Sequence, residues 1–185
     1  MGKVFDIVDE KLAGWLRVQH VFFVSTAPLA GDGHVNVSPK GMAGTFAVLG
    51  ERQVGYVDYF GSGAETIAHL TENGRIVVMC CAFDGRPRIV RLHGRGRVVF
   101  PTDSSFAALR AEFGKDGDHA VRAIIVVDVT RISDSCGYAV PQLAFVADRD
   151  LLERHNAKRP PEYFERYALG SNRVSIDGLP ALGSD

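Results

Sequence analysis

Of 185 residues only three are cysteine and one is tryptophan, and neither sign of charge is in excess: 21 Lys and Arg face 22 Asp and Glu. Without a basic surplus there is no electrostatic footprint for nucleic acid or for an anionic membrane surface. Three cysteines cannot all pair, and Cys80 and Cys81 adjoin in an apolar run, so a reduced, cytoplasmic protein is expected. The longest apolar runs, RIVVMCCAF and RAIIVVDV, fall far short of the ~20 residues a membrane-spanning helix needs. The opening MGKVFDIVDEKLAGWL carries acids where a secretory leader needs a basic start and an apolar centre. Its Met-Gly lacks the Ser or Thr of a myristoylation site. Internal repeats and low-complexity linkers are absent too.

What remains is the composition of an ordinary globular protein, 46% hydrophobic and 23% charged, of a length that suits one domain, with or without a decorated tail. Apolar positions at Ile7, Val8, Leu12, Trp15 and Leu16 predict a helix over 7–18. Alternating runs predict strands at HVFFVSTAP, HVNVSPKG, GTFAVL, RQVGYVDYF, RIVVMCCAF, RIVRLHGRGRVVF and VRAIIVVDVTRIS. A helix is expected over 65–73 and another over 102–113, the latter capped by Thr102 with Asp103 in its first turn. The tail reads as two short helices split by Pro160 and Pro161, then a polar loop. Sequential hairpins with few inserted helices favour an antiparallel sheet, about six strands closing into a small barrel. A doubly wound parallel sheet would need a helix after nearly every strand.

Two loops carry chemistry. In YFGSGAETIAHL, Gly61 and Gly63 free the backbone, Ser62 adds a hydroxyl, and the following helix begins with unpaired N–H groups. That is a ready-made anion site. A dinucleotide reading fails, because Thr66 stands where the third glycine belongs and no βαβ repetition surrounds it. In NVSPKG, Ser38 supplies a hydroxyl and Lys40 a compact positive charge. Two separate loops therefore each offer phosphate-binding chemistry.

The run HVNVSPKG, then GYVDYFGSGAETIAHLTENGRIVV, then RLHGRGRVV, followed by SCGYAVP and RVSIDGLPAL, resembles the pyridoxamine 5′-phosphate oxidase family over residues 6–182. That resemblance implies an FMN-binding split β-barrel, a homodimer with the flavin at the subunit interface. It implies that Asn36, Val37, Ser38 and Lys40 run along the flavin, and that Ser62, Gly63, Glu65 and Thr66 surround the ribityl phosphate. Asp58 and Tyr59 would border the ring or the ribityl chain, and Arg91 would reach the pocket from the partner subunit. Arg173 and Ser175 belong to a tail expected to fold over the site. The chain departs from the vitamin B6 oxidases at Val35, where they carry Arg, at Thr66, where they carry a basic residue, and in a C-terminus without their Trp and Arg signature. Those departures count against pyridoxamine phosphate as substrate.

His20, His34, His69, His93, His119 and His155 show no metal-ligand spacing, so no metal site is expected. His69, mid-helix, reads as a surface or interface side chain. Cys80 and Cys81 read as core fillers, and no nucleophile-elbow motif supports a hydrolase. Arg86, Arg88, Arg91, Arg95 and Arg97 read as one polar strand face with an anion to hold. The expectation is a barrel over 1–147 with a helical extension over 148–185, binding FMN and acting on a small organic molecule. Alternatives are a deazaflavin-dependent reductase, a haem-binding relative using His93, and a non-catalytic flavin-binding module.

Overall fold

Strand alternation dictates most of what the chain builds. The computed structural model describes residues 2–115 and 120–183; His119 lies outside them. In chain order the elements are β1 (Val4–Phe5), α1 (Glu10–Arg17), β2 (Val21–Thr26), β3 (Asn36–Gly41), β4 (Phe46–Gly50), β5 (Gln53–Tyr59), α2 (Glu65–Asn73), β6 (Arg75–Cys81), β7 (Ile89–Val99), α3 (Phe106–Arg110), β8 (Val121–Ser135), α4 (Leu151–Ala157) and α5 (Pro161–Leu169). All strand pairs are antiparallel, and the sheet runs β3-β2-β6-β7-β8-β5-β4, with β1 added to β8.

The antiparallel split-barrel expectation is borne out, but with eight strands among the described residues rather than about six. The reason lies in β8, whose 15 residues are long enough to pair β7 along one edge and both β5 and β1 along the other. From Val121 to Val127 every β8 residue is buried. Ile125, Val127 and Val129 join the main core with Leu12, Leu16, Phe22 and Tyr56, while Ile124 and Val126 pack with Val57, Val99 and Phe113 on the other face. A strand covered on both faces reads as a continuous apolar run, and this one does.

Local signals fix the ends of elements. Asp9 caps α1 by accepting the Leu12 N–H at 2.7 Å. Gly74 closes α2 in the left-handed region at φ 70°, its N–H bonded to the His69 and Leu70 carbonyls, a conformation glycine adopts without strain. The helix expected over 102–113 shrinks to five residues and Thr102 does not cap it. Instead the Asp103 carboxylate accepts the Phe100 N–H at 2.7 Å and holds a turn around Pro101, so helical geometry starts later. Cys80 and Cys81 are core residues as expected, and burial pushes the Cys80 thiol up to about 12. No helix among the described residues is long and apolar enough to cross a membrane.

Candidate functional site

The edge strand β3 sorts its residues by face. Asn36, Ser38 and Lys40 stand opposite Thr26, Val24 and Phe22 of β2, all three buried, so they share the interior face. Side chains alternate along a strand, which sends Val37 to the outer face, where it is 62% exposed.

Inside the barrel Lys40 meets a buried carboxylate. Asp58 is 1% exposed, with Lys40 Nζ at 3.1 Å from its Oδ1 and Arg122 Nε and Nη2 each 2.8 Å from its Oδ2. Burial by itself would push the Asp58 carboxyl up; the Lys40 ammonium and the Arg122 guanidinium outweigh it and hold the group below the ordinary aspartate range. Two cations on one carboxylate leave the triad with a net charge of +1. Tyr56, fully buried beside it, is pushed well above the usual phenol value by burial and by Asp58, so it stays protonated.

Arg122 also shapes the glycine loop. Its Nη1 donates to the Gly63 carbonyl at 2.8 Å and to Asn172 Oδ1 at 2.7 Å, and Asn172 Nδ2 donates to the Gly61 carbonyl at 2.9 Å. The loop is thus pinned by its carbonyls from within. Neither Gly61 nor Gly63 adopts a positive φ, so the conformational freedom anticipated there goes unused. Their contribution is space: a Cβ on either would meet nothing closer than 3.7 Å. Ala64, at the N-cap of α2, offers no capping side chain, which leaves the first-turn N–H groups for an external acceptor.

Hydroxyls and an amide link the two loops. Asn36 Nδ2 donates to Thr66 Oγ1 at 3.1 Å and to Thr26 Oγ1 at 3.2 Å, and Ser38 Oγ donates to Asn36 Oδ1 at 2.9 Å. Thr26 Oγ1 is hydrogen-bonded to His69 Nδ1 at 2.9 Å. His69 is therefore not at the surface: it is fully buried, its Nε2 without a hydrogen-bond partner. The expectation fails because α2 buries five consecutive residues, from Thr66 to Leu70, rather than a single stripe.

The other expected residues divide. Asn36, Ser38, Lys40, Asp58, Thr66 and the Ser62–Gly63 loop come together. Tyr59 packs instead with Val57 and Val121 on the opposite face from Asp58. Glu65 faces the tail, its carboxylate accepting the Ile176 N–H at 3.1 and 3.2 Å. Ser175 is buried, but its Oγ accepts the Asp177 and Leu179 N–H groups of its own turn. Arg173 is exposed. Arg91 stands opposite Met79 on the outer face, with Nη1 donating to Ser135 Oγ at 3.1 Å. Residues not foreseen are Thr26, His69, Arg122 and Asn172. Arg122 had a signal: a lone guanidinium inside VRAIIVV must find a buried counter-charge. The tail is clasped from outside as well, since exposed His34 meets Asp177 at 2.6 Å.

The sequence model of the pyridoxamine 5′-phosphate oxidase family matches residues 8–136, more than half of the chain and all the strands that build this site. The chain belongs to that family. One relative of this oxidase family member is a pyridoxamine 5′-phosphate oxidase family protein, ustO, of Aspergillus flavus, 39% identical over 194 residues, spanning 97% of this chain and 78% of its own. Among solved structures, HupZ from Group A Streptococcus superposes with a TM-score of 0.52 at 15% identity, covering 69% of this chain and 99% of its own. An FMN-binding protein from Syntrophomonas wolfei reaches a TM-score of 0.49 at 14% identity over 73% of this chain and 84% of its own. Among the described residues no three His, Cys, Asp or Glu side chains gather as a metal site.

Proposed function

We propose that this family member binds FMN non-covalently and serves as an oxidoreductase for a small organic molecule. The observation that carries the reading is a net-positive triad at Lys40, Asp58 and Arg122 beside hydroxyl donors and an uncapped helix start. Lys40, Ser62, Thr66 and the first-turn N–H groups of α2 would hold the phosphate, joined by Ser38 once its hydroxyl turns from Asn36 to the ligand. Lys40 carries three donors and spends one on Asp58, and a phosphate answers the remaining charge. Asn36, fixed by Thr26 and Thr66, would orient the cofactor along β3. FMN, when bound, supplies the hydride or electron transfer, and the protein supplies binding and orientation. Protonated Tyr56 keeps a neutral wall beside the charged triad.

The working unit under this reading is a homodimer with the cofactor between subunits. Arg91 faces away from the site within its own chain, and contributes to a pocket only from a partner. Exposed Leu143 and Val146, in a segment without helix or strand, give the chain apolar area for a second copy to cover.

The test is a visible absorption spectrum of the concentrated protein, as purified and again after FMN addition and desalting. A retained flavin band, shifted from that of free FMN, is expected. A protein that stays colourless, or that retains deazaflavin or haem in preference, overturns the reading.

The tail offers a further check. Leu182 is buried in the main core, and Val174 pairs with Pro180 in a small hairpin against the site. Deleting residues 173–185 should therefore release most of the bound flavin, measured as flavin-to-protein ratio after desalting. A ratio equal to that of the full chain would show that the tail does not help to retain the cofactor.

A further inference from the structure

A cavity of about 680 Å³ opens at the far end of the barrel, between α1, the turn before β7 and the end of β8. That volume falls within the range of small-molecule sites. None of the residues discussed above for the phosphate lines it.

Its wall is built around one guanidinium. Arg88 lies over the Trp15 ring at 5.0 Å and over the Phe5 ring at 5.5 Å, and its Nη2 is 3.1 Å from Asp134 Oδ2. Stacking between two rings and pairing with a carboxylate fix this side chain in place.

Charge in the cavity is unbalanced. Four cations line it, Lys3, Lys11, Arg86 and Arg88, against two carboxylates, Asp9 and Asp134. Both carboxylates are already engaged, Asp9 with the Leu12 N–H and Asp134 with Arg88 and the Lys3 N–H. Arg86 and Lys11 make no ion pair among the described residues. The lining thus combines two rings covered by cations, Arg88 over Trp15 and Phe5 and Lys3 over Phe5, with Lys11 and Arg86, which lack an anion among the described residues.

We propose that this cavity binds a small aromatic carboxylate, its ring against the Arg88 guanidinium that Trp15, Phe5 and Asp134 hold in place, and its carboxylate on Arg86. A guanidinium fork matches a carboxylate better than an isolated ammonium does. The assignment is independent of flavin binding, because it uses none of the residues of the β3 site.

The protein carries its own reporters. Trp15 is the sole tryptophan, and Cys136 in the lining is exposed while Cys80 and Cys81 are buried. The purified full-length protein is titrated with benzoate, with benzamide as the neutral isostere and acetate as the anion without a ring. Trp15 fluorescence and the rate of Cys136 alkylation are followed together. Benzoate should give saturable changes in both, with benzamide and acetate weaker on the order of tenfold. Arg86→Ala, an exposed change in the turn, should weaken benzoate by a similar factor and leave the thermal midpoint unmoved. No saturation with benzoate, an equal response to benzamide, or an affinity unchanged in Arg86→Ala overturns the assignment. A flavin ratio that stays normal in Arg86→Ala separates this result from any defect at the β3 site.

Discussion

Arg122→Ala should lower the thermal midpoint by about 6–20 °C. The estimate starts from the cost of removing one partner from a buried ion pair, about 3–5 kcal/mol. A chain of this size loses about 2–4 °C per kcal/mol. The size of the effect follows from what one side chain does: it neutralises Asp58, bonds the Gly63 carbonyl and bonds Asn172. Removal leaves a carboxylate 1% exposed with only half-buried Lys40 as partner, and a loop carbonyl with no donor. Arg122→Lys keeps the charge but has no fork to serve three acceptors, so it should fall between wild type and alanine. A midpoint within 2 °C of wild type for Arg122→Ala, a bound of about 1 kcal/mol or less, would mean that water or rearrangement satisfies Asp58. If alanine prevents folding altogether, the lysine variant still reads out the same bonds.

The same triad sets an acid limit. A carboxyl held below its unfolded value contributes stability that is complete above the unfolded pKa and is lost as pH falls through the folded one. Asp58 is held down, so its contribution should persist at neutral pH and begin to fade only below about pH 4. Chemical denaturation of wild type across that window measures the loss.

The strands were legible because most of them have one wet and one buried face, and alternation records it; β8 announced itself by an unbroken apolar run instead. The bounds of α2, 65 to 73, could be read because the Gly-Ser-Gly loop opens it and Gly74 closes it. Two-residue β1 could not be read, since two residues hold no period. Half of the candidate site was equally visible: Ser38, Lys40, Ser62 and Thr66 are polar groups in short motifs. Its other half is a matter of distance along the chain. Arg122 meets Asp58 across 64 positions, and Asn172 meets Gly61 across 111. No local pattern encodes such partners; only the demand of a buried charge for a counter-charge hints at them. Tyr59 shows the reverse failure. It adjoins Asp58 in sequence, but one step along a strand turns the side chain to the other face.

Lys40→Ala should weaken FMN on the order of 10- to 100-fold while changing riboflavin affinity by less than about threefold, since a charge-assisted bond to phosphate contributes about 1.5–3 kcal/mol. The fold should survive this change, because Arg122 still neutralises Asp58 through two nitrogens at 2.8 Å. Riboflavin lacks only the phosphate, so the ratio of the two affinities isolates that contact from any general loosening of the pocket. Asp58 sharpens the test: it competes with phosphate for the same ammonium, 3.1 Å away. Asp58→Asn frees the ammonium from its competitor, so FMN should gain more from this change in the wild-type background than once Lys40 is alanine. That non-additivity is what contact through one shared group produces. Equal losses of FMN and riboflavin in Lys40→Ala would show instead that the ammonium serves Asp58 alone, with the phosphate held by the start of α2.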